Sequence, residues 1–202
     1  MIRFRQSTLS DADAITRIEA ESWPTFLAAP RSAIVPRIEV FSPGQWVALR
    51  GQQIVGAAFA QRVRPELLAT SQPSYDQITD NATFQNTHDP AGSVYQLVGV
   101  GVAPEGQGCG VGRRLIDCQL QFARSLDGIQ RIVGFTRPVG FHQFPELSID
   151  DYLELRTANG RLQDPVLSFH LDSGARLVSV HPGFRSTDRD ARGYGVLIEY
   201  PI

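Results

Sequence analysis

Apolar and polar residues alternate along several short stretches of the chain, and a period of two is typical of strands with one buried face. Between them lie stretches in which apolar residues recur every three to four positions, as in helices that pack on a sheet. Ser, Asp or Pro precedes most helical stretches and Gly or Pro follows them, which are ordinary signals for helix ends. The predicted strands cover residues 2–8, 46–50, 54–63, 94–102, 131–136, 176–180 and 195–200. The predicted helices cover residues 10–23, 31–41, 110–125, 148–160 and 164–174.

Residues 64–93 follow neither period. This segment is polar, rich in Ser, Thr, Gln and Asn, and it contains Pro73 and Pro90. Long segments without regular structure in a compact domain usually run over its surface. We therefore expect an irregular excursion over the surface, and not a linker between two domains.

The composition narrows the class of protein. A chain of 202 residues that is 42% hydrophobic can bury a sizeable core without a metal or a disulfide. Cys109 and Cys118 match no zinc or redox motif, so we expect a reducing, cytoplasmic environment and no metal. The sequence has neither a secretion signal nor an apolar run long enough to span a membrane. One α/β domain over residues 1–202 is predicted.

The charged residues exclude some chemistry. All 19 basic residues are arginine. A Schiff base on a protein lysine and the phosphate-binding lysine of a P-loop are therefore excluded. The formal net charge of −2 argues against nucleic acid as a partner.

A glycine-rich turn between the fourth strand and the third helix is the most informative segment. Its residues 107–113 read Gln-Gly-Cys-Gly-Val-Gly-Arg, and a second arginine follows. Glycines leave backbone N–H groups uncovered at the start of a helix, where the helix dipole adds to their attraction for an anion. The turn therefore predicts a pyrophosphate site.

Two other interpretations of this turn remain open at this level. A dinucleotide-binding fold also places glycines after a strand, but near the start of a parallel unit and with an acid some 20 residues later. Here the motif lies in the middle of the chain, and Asp127 falls in a turn. The glycines would alternatively serve only to pack the helix closely against the sheet.

The turn, with the apolar strand before it, resembles the pyrophosphate-binding motif of the GNAT superfamily of acyl-coenzyme A transferases. The order of predicted elements agrees with that family over nearly the whole chain. The resemblance implies an α/β fold with a mixed, mostly antiparallel sheet splayed open at an acyl-CoA site, where pantetheine pairs with the strand backbone. The residues that it implies for binding coenzyme A are Val100, Val102, Gln107, Gly108, Cys109, Gly110, Val111, Gly112 and Arg113.

Two features depart from an ordinary GNAT acetyltransferase. Many members carry a tyrosine four residues before the glycine that ends the late helix, placed to protonate the departing thiolate. His170 occupies that position here. Many also use a glutamate on the glycine-motif strand as a base for the attacking amine, and residues 95–98 contain none.

Three segments resemble a narrower group, the GNAT-like decarboxylase domains in loading modules of modular polyketide synthases. They are the glycine motif, the stretch IVGFTRPVGF, and LQDPVLSFHLDSGARLVSVHPGFR with GYGVLIEY. This resemblance implies a domain excised from a larger synthase, with an acyl carrier protein and neighbouring synthase domains as partners. The active-site positions that it implies are Trp23, Thr136, His170 and Arg185.

Decarboxylation of a malonyl-type thioester leaves an enolate, whose oxygen gains charge as carbon dioxide departs. The Thr136 hydroxyl and a His170 ring N–H would stabilise that oxygen, and His170 or a water that it holds would protonate the carbanion. Arg185 would position the substrate carboxylate without clamping it. Trp23 would supply an apolar wall, because a dry site favours neutral carbon dioxide over the carboxylate.

Several alternatives stay open from the residues alone. Thr136, His170, Arg185 and Trp23 each have an ordinary structural role available, as a strand-end hydroxyl, a half-buried ring, a surface cation and a core anchor. The chain would otherwise be an acetyl-CoA-dependent acetyltransferase of a small amine or thiol, or a non-catalytic GNAT-like part of a synthase. The arginines proposed for docking an acidic carrier protein are Arg113, Arg114 and Arg124.

Overall fold

Seven strands form one sheet in the order β1-β2-β3-β4-β5-β7-β6 in the computed structural model, which describes all residues 1–202. Only β4 and β5 are parallel, and every other neighbouring pair is antiparallel. The expected mixed, mostly antiparallel sheet is confirmed. The strands are β1 (Ile2–Gln6), β2 (Gln45–Arg50), β3 (Gln53–Val63), β4 (Val94–Val102), β5 (Arg131–Thr136), β6 (Arg176–His181) and β7 (Gly195–Tyr200).

The helices pack on both faces of this sheet. They are α1 (Ala12–Ser22), α2 (Arg31–Phe41), α3 (Pro65–Leu68), α4 (Tyr75–Thr79), α5 (Val111–Ser125), α6 (Ile149–Glu154) and α7 (Pro165–Asp172). None of them combines the length and the apolar character that crossing a membrane requires.

Alternation along β2 and β3 explains why the sheet is covered on both sides. Val47 and Phe59 pack in the same cluster as the buried residues of α1 and α2. Their neighbours Ala48 and Ala58 belong to a second cluster, which includes Val111 and Leu115 of α5. Because successive side chains of a strand point to opposite faces, one apolar strand contributes residues to the core on each face of the sheet.

Residues 64–93 differ from the sequence-based expectation. They contain α3 and α4, and they bury Ile78 and Phe84, which are 1% and 0% exposed. Asp80, Asn81 and Ala82 adopt φ values of 50°, 51° and 71°, which turns the chain inward after α4. The prediction of a surface excursion is therefore wrong for this part, because three left-handed residues carry a polar stretch back to the core.

The predicted helix over residues 148–160 is also too long. The Ser148 hydroxyl caps α6 by accepting a hydrogen bond from the Asp151 amide at 3.1 Å, as expected, but the helix ends at Glu154. Arg156 and Leu162 then form an isolated antiparallel bridge. Gly160, with a φ of 76°, serves the turn of that small hairpin instead of ending the helix.

The sheet opens between its two parallel strands. β4 pairs with β5 only from Val94–Leu97 against Arg131–Gly134, although β4 continues to Val102. Opposite β3, the register of β4 shifts by one residue, so that Phe59 faces Gly99 and Ala60 faces Leu97. A bulge of this kind increases local twist and bends the strand. The rest of β4 diverges from β5 and leaves an unpaired edge, which is the predicted splay.

Candidate active site

A cleft of about 640 Å³ occupies the opening between β4 and β5. Residues from α1, β4, β5, α7 and the loop after β6 line it. The cleft brings together all four substrate-facing residues predicted from the sequence, Trp23, Thr136, His170 and Arg185. Four of the residues predicted to bind coenzyme A also line it, namely Val100, Val102, Gln107 and Gly112.

The position of α7 depends on one buried carboxylate. Asp164 is 2% exposed and caps the helix, since its Oδ1 accepts hydrogen bonds from the amides of Val166 and Leu167 at 3.0 and 2.9 Å. Its Oδ2 accepts from the Gly140 amide and from the Tyr152 hydroxyl, both at 2.9 Å. The same side chain therefore starts the helix and ties it to α6 and to the loop after β5.

His170 lies on the last turn of α7. Its Nδ1 is 2.7 Å from the hydroxyl of Tyr200, at the end of β7. Burial lowers the pKa of His170 from 6.5 to about 4, because the low-polarity surroundings disfavour the charged ring. At neutral pH the side chain is therefore an uncharged imidazole at the wall of the cleft.

Thr136 is the last residue of β5, where its backbone pairs with Val196 of β7. The residue is 6% exposed, and its buried hydroxyl has no hydrogen-bond partner in the protein. Ser22, another residue of the lining, also has a buried hydroxyl without a partner in the protein. Buried polar groups are normally satisfied, so two unpaired hydroxyls beside one cleft make it a candidate ligand site, although unpaired atoms of Ser7, Gln45 and Trp46 lie outside its lining.

Arg185 is held by three parts of the chain. Phe184 stacks on Phe135 of β5 with ring centroids 4.4 Å apart, which fixes the loop after β6 against the sheet. The Arg185 guanidinium donates to the Leu27 carbonyl at 2.8 Å and lies 4.1 Å from the ring centroid of Tyr75. A cation that stacks on an aromatic ring keeps its orientation.

Trp23 follows α1 immediately, as its C-cap residue. A Cβ added at Gly99 of β4 would lie 3.7 Å from Trp23 Cζ2, so the indole packs directly over that strand. This contact places an aromatic wall at the splayed part of β4. Trp23, which the resemblance placed at the active site, therefore does reach the cleft.

The glycine-rich turn presents backbone donors to solvent. None of the N–H groups from Gly108 to Arg113 has an acceptor within the protein. Gly108 and Gly110 adopt φ values of 70° and 71°, and no atom outside their immediate neighbours lies within 4 Å of a Cβ added there. Uncovered donors in sequence at a helix N-terminus form an anion site.

The side chains of this turn differ in exposure and in what they contact. Val111 is 2% exposed and packs in the core under α5, so only its amide is available to a ligand. The Gln107 side chain donates to the Val102 carbonyl at 3.1 Å. Cys109 is exposed, and its Sγ lies 3.4 Å from an Arg50 nitrogen. The Arg113 guanidinium donates to the Asp172 carbonyl, which joins the turn to the end of α7.

The cleft contains no free carboxylate. Asp188 is the one acidic residue in its lining, and it is 1% exposed. Both of its oxygens accept hydrogen bonds from the Arg137 guanidinium. On β4, Gln96 is buried and its Oε1 accepts from Gln61 at 2.9 Å. The missing glutamate base is thus not replaced by another carboxylate within the cleft.

Sequence reasoning missed two residues that act on the predicted ones, and also the carboxylate in the cleft lining. Tyr200 contacts His170, Tyr75 stacks on Arg185, and Asp188 pairs with Arg137. Tyr75 lies in the segment expected to be irregular, so no local signal pointed to it. Tyr200 ends a predicted strand, but the period of two shows only which face a residue takes and not which side chain it meets.

The fold and the site together define the class of protein. A sheet splayed beside a glycine-rich helix start, with free N–H groups at that start, is the arrangement that the GNAT resemblance implied. The sequence matches the acetyltransferase (GNAT) family over residues 12–142, and the chain belongs to that family. No group of three or more His, Cys, Asp or Glu side chains is placed to hold a metal ion.

Comparison with individual proteins narrows the similarity. The chain is 32% identical to the GphF GNAT-like decarboxylase, solved in complex with isobutyryl-CoA, with a TM-score of 0.83 over 98% of both chains. It is 26% identical to the loading GNATL domain of CurA from Lyngbya majuscula, with a TM-score of 0.88 over 99% of this chain and 97% of that one. The predicted resemblance to this narrower group is confirmed.

One curated relative is longer. The chain is 26% identical over 191 residues to a probable hydrolase, YhcX, from Bacillus subtilis strain 168. The match covers 94% of this chain but 36% of that protein. The chain therefore spans about a third of the length of this relative.

Proposed function

We propose that this protein decarboxylates a malonyl-type thioester, carried on coenzyme A or on a carrier protein, to provide the starter acyl unit of a polyketide. The similarity to GphF and to the CurA loading domain supports this function. Loss of carbon dioxide from a dimethylmalonyl thioester yields an isobutyryl thioester, the acyl group present in the GphF complex. Malonyl and methylmalonyl thioesters would yield acetyl and propionyl thioesters by the same chemistry.

The observation that carries the proposal is the character of the cleft. It holds an uncharged imidazole and an unpartnered hydroxyl, and its one carboxylate is occupied by an arginine. An acetyltransferase acting on an amine needs a base to take the amine proton, and an imidazole whose pKa is about 4 is a weak base. A decarboxylase needs only donors for the enolate oxygen and a nonpolar setting for the departing carboxylate. The residues present suit the second reaction.

The bond between the α-carbon and the carboxylate breaks in the chemical step. Its electron pair moves into an enolate, and negative charge develops on the thioester oxygen as carbon dioxide leaves. The Thr136 hydroxyl and a ring N–H of His170 donate hydrogen bonds to that oxygen. Loss of one such donor typically raises the barrier by about 3 kcal/mol.

A proton must then reach the α-carbon to give the acyl thioester. Because the pKa of His170 is about 4, the ring is not an imidazolium at neutral pH and has no readily released proton. Of the two proton sources considered from the sequence, a water held at the ring is therefore the one that we propose.

The other two residues act on the substrate carboxylate. Arg185 offers a guanidinium whose direction is set by Leu27 and Tyr75. We infer that it positions the carboxylate, since a tight bidentate pair would stabilise the ground state and slow the reaction. Trp23 keeps water from that end of the cleft, which favours the conversion of a charged carboxylate into neutral carbon dioxide.

The pantetheine arm would pair with the unpaired edge of β4 near Val100 and Val102, and its pyrophosphate would bind the N–H groups of residues 108–113. An acyl carrier protein presents the same arm, so we propose one as the acceptor or donor of the acyl group. Carrier proteins are usually acidic, which suits Arg113, Arg114 and Arg124 on α5 as a docking face. Each of these guanidinium groups also contacts the protein itself.

The test is incubation of the purified protein with malonyl-, methylmalonyl- and dimethylmalonyl-CoA, followed by mass spectrometry. Loss of carbon dioxide from at least one of them is expected. His170→Ala and Thr136→Ala should each slow it at least about 100-fold while coenzyme A binding, measured by calorimetry, is retained. A protein that acetylates amines and ignores the malonyl thioesters is an acetyltransferase. One that binds no coenzyme A or pantetheine is a structural domain. Adding a phosphopantetheinylated carrier protein shows whether acyl transfer accompanies decarboxylation.

A further inference from the structure

The hydroxyl of Tyr200 and the ring of His170 form an isolated pair behind the cleft. Tyr200 is 2% exposed, and its hydroxyl makes one hydrogen bond, to His170 Nδ1 at 2.7 Å. His170 Nε2 has no hydrogen bond to the protein. The two side chains lie 30 residues apart and meet only because α7 packs beside β7.

The direction of this hydrogen bond decides which ring nitrogen of His170 carries the hydrogen. A phenol has a single O–H, and Nδ1 is the one protein group that shares a hydrogen bond with the Tyr200 hydroxyl. Burial raises the pKa of Tyr200 and lowers that of His170, so both groups are neutral. A neutral imidazole carries one hydrogen, and the nitrogen that accepts from the phenol is not the one that carries it. With the phenol as the donor, the hydrogen of the ring is on Nε2.

We propose that Tyr200 is a positioning residue, which holds the His170 ring in the tautomer with its hydrogen on Nε2. This inference rests on the proposed function, in which His170 donates to the thioester oxygen. With the opposite tautomer, Nε2 would present a lone pair to an oxygen that is becoming negative, and the same ring would oppose the reaction. The phenol thus determines whether the imidazole assists or hinders formation of the enolate.

The variant Tyr200→Phe removes the hydroxyl and keeps the ring that fills the core. The matched control is Tyr95→Phe, because Tyr95 is also fully buried and its hydroxyl donates to Gln119 and not to His170. A loss of stability that comes from any buried phenol would appear in both variants. An effect on the imidazole would appear only in Tyr200→Phe.

The first measurement is the nitrogen NMR spectrum of His170 in the free protein, which reports the tautomer without any substrate. We expect the wild type and Tyr95→Phe to show one tautomer, with hydrogen on Nε2 and a hydrogen-bonded Nδ1. In Tyr200→Phe the Nδ1 resonance should move to the position of a free lone pair, with a mixture of tautomers. A wild-type ring with its hydrogen on Nδ1 overturns the inference.

The second measurement is the kinetics of decarboxylation. We expect Tyr200→Phe to lower kcat about tenfold, as for loss of one buried hydrogen bond, with KM unchanged. Wild-type kcat in Tyr200→Phe overturns the inference, and so does an equal loss in Tyr95→Phe. If the wild type decarboxylates no thioester, the proposed function fails, while the spectrum still decides whether Tyr200 sets the tautomer.

Discussion

Replacing Thr136 by valine should change stability and activity in opposite directions. The substitution keeps the shape of the side chain and exchanges its hydroxyl for a methyl group. In the folded protein this hydroxyl is buried and has no partner among the protein's own groups. Burying an unpaired hydroxyl costs about 1–3 kcal/mol. Thr136→Val should therefore raise the free energy of unfolding, by about 1 kcal/mol after allowance for imperfect packing of the methyl group.

The same hydroxyl is proposed to donate to the enolate oxygen. Loss of one such donor costs about 3 kcal/mol of barrier, which is a fall of about 100-fold in kcat. Urea unfolding gives the first quantity, and release of carbon dioxide from the preferred malonyl-type CoA gives the second. KM should change little, because the bond forms mainly in the transition state.

Thr79→Val provides the matched control for stability. Thr79 is also buried, but its hydroxyl donates to the Tyr75 carbonyl at 2.7 Å and accepts from the Ala82 amide at 3.0 Å. Loss of this hydroxyl in Thr79→Val should lower the free energy of unfolding by about 1–3 kcal/mol. The reasoning is refuted if Thr136→Val destabilises the protein as much as Thr79→Val does, or if Thr136→Val retains wild-type kcat.

Three further predictions follow from the same geometry. Because the pKa of His170 is about 4 when folded and 6.5 when unfolded, stability is lost as the pH falls from 6.5 to 4, by roughly 3 kcal/mol in total. Between pH 7 and pH 4.5 the His170→Gln variant should lose less free energy of unfolding than the wild type, as measured by urea unfolding. An equal loss in the two proteins contradicts the burial assigned to His170. Gly110→Ala should raise the Kd for coenzyme A about tenfold, as its φ of 71° disfavours a Cβ. Gly160→Ala carries the same strain at 76° outside the cleft, so calorimetry should show unchanged affinity. Arg185→Leu should raise KM for malonyl-type thioesters at least about tenfold without changing inhibition by acetyl-CoA. Equal weakening of thioester binding and of inhibition by acetyl-CoA would refute a contact between Arg185 and the carboxylate.

Local sequence signals predicted most elements of the fold, and the failures have a common cause. The Asp164-Pro165 helix start and the glycine-rich turn depend on adjacent residues alone, so the sequence shows them directly. The helix expected to reach Gly160 is shortened by a bridge between Arg156 and Leu162. The stretch around Phe84 is drawn into the core through a contact with buried Arg37, which donates to the Ala82 carbonyl at 2.5 Å. In both places a longer-range contact overrides the local pattern.

The candidate site could be predicted only in part. The four residues Trp23, Thr136, His170 and Arg185 were named from resemblance to a family, because no periodicity or spacing shows that they share a cleft. The residues that orient them, Tyr200 and Tyr75, were not predicted. A contact between side chains far apart in sequence depends on how whole elements pack, and that information is absent from any local window.

By itself the sequence determined which chemistry is available, namely arginine as the only strong cation, glycines at a helix start and a histidine on the late helix. It also determined most strands and helix starts, because hydrogen bonding and capping act over a few residues. The tertiary structure alone decided that β4 leaves β5 after Leu97, that a threonine hydroxyl stays without a partner and that a phenol meets the imidazole. These outcomes arise from long-range packing, which places the available groups around one cleft and sets their protonation and direction.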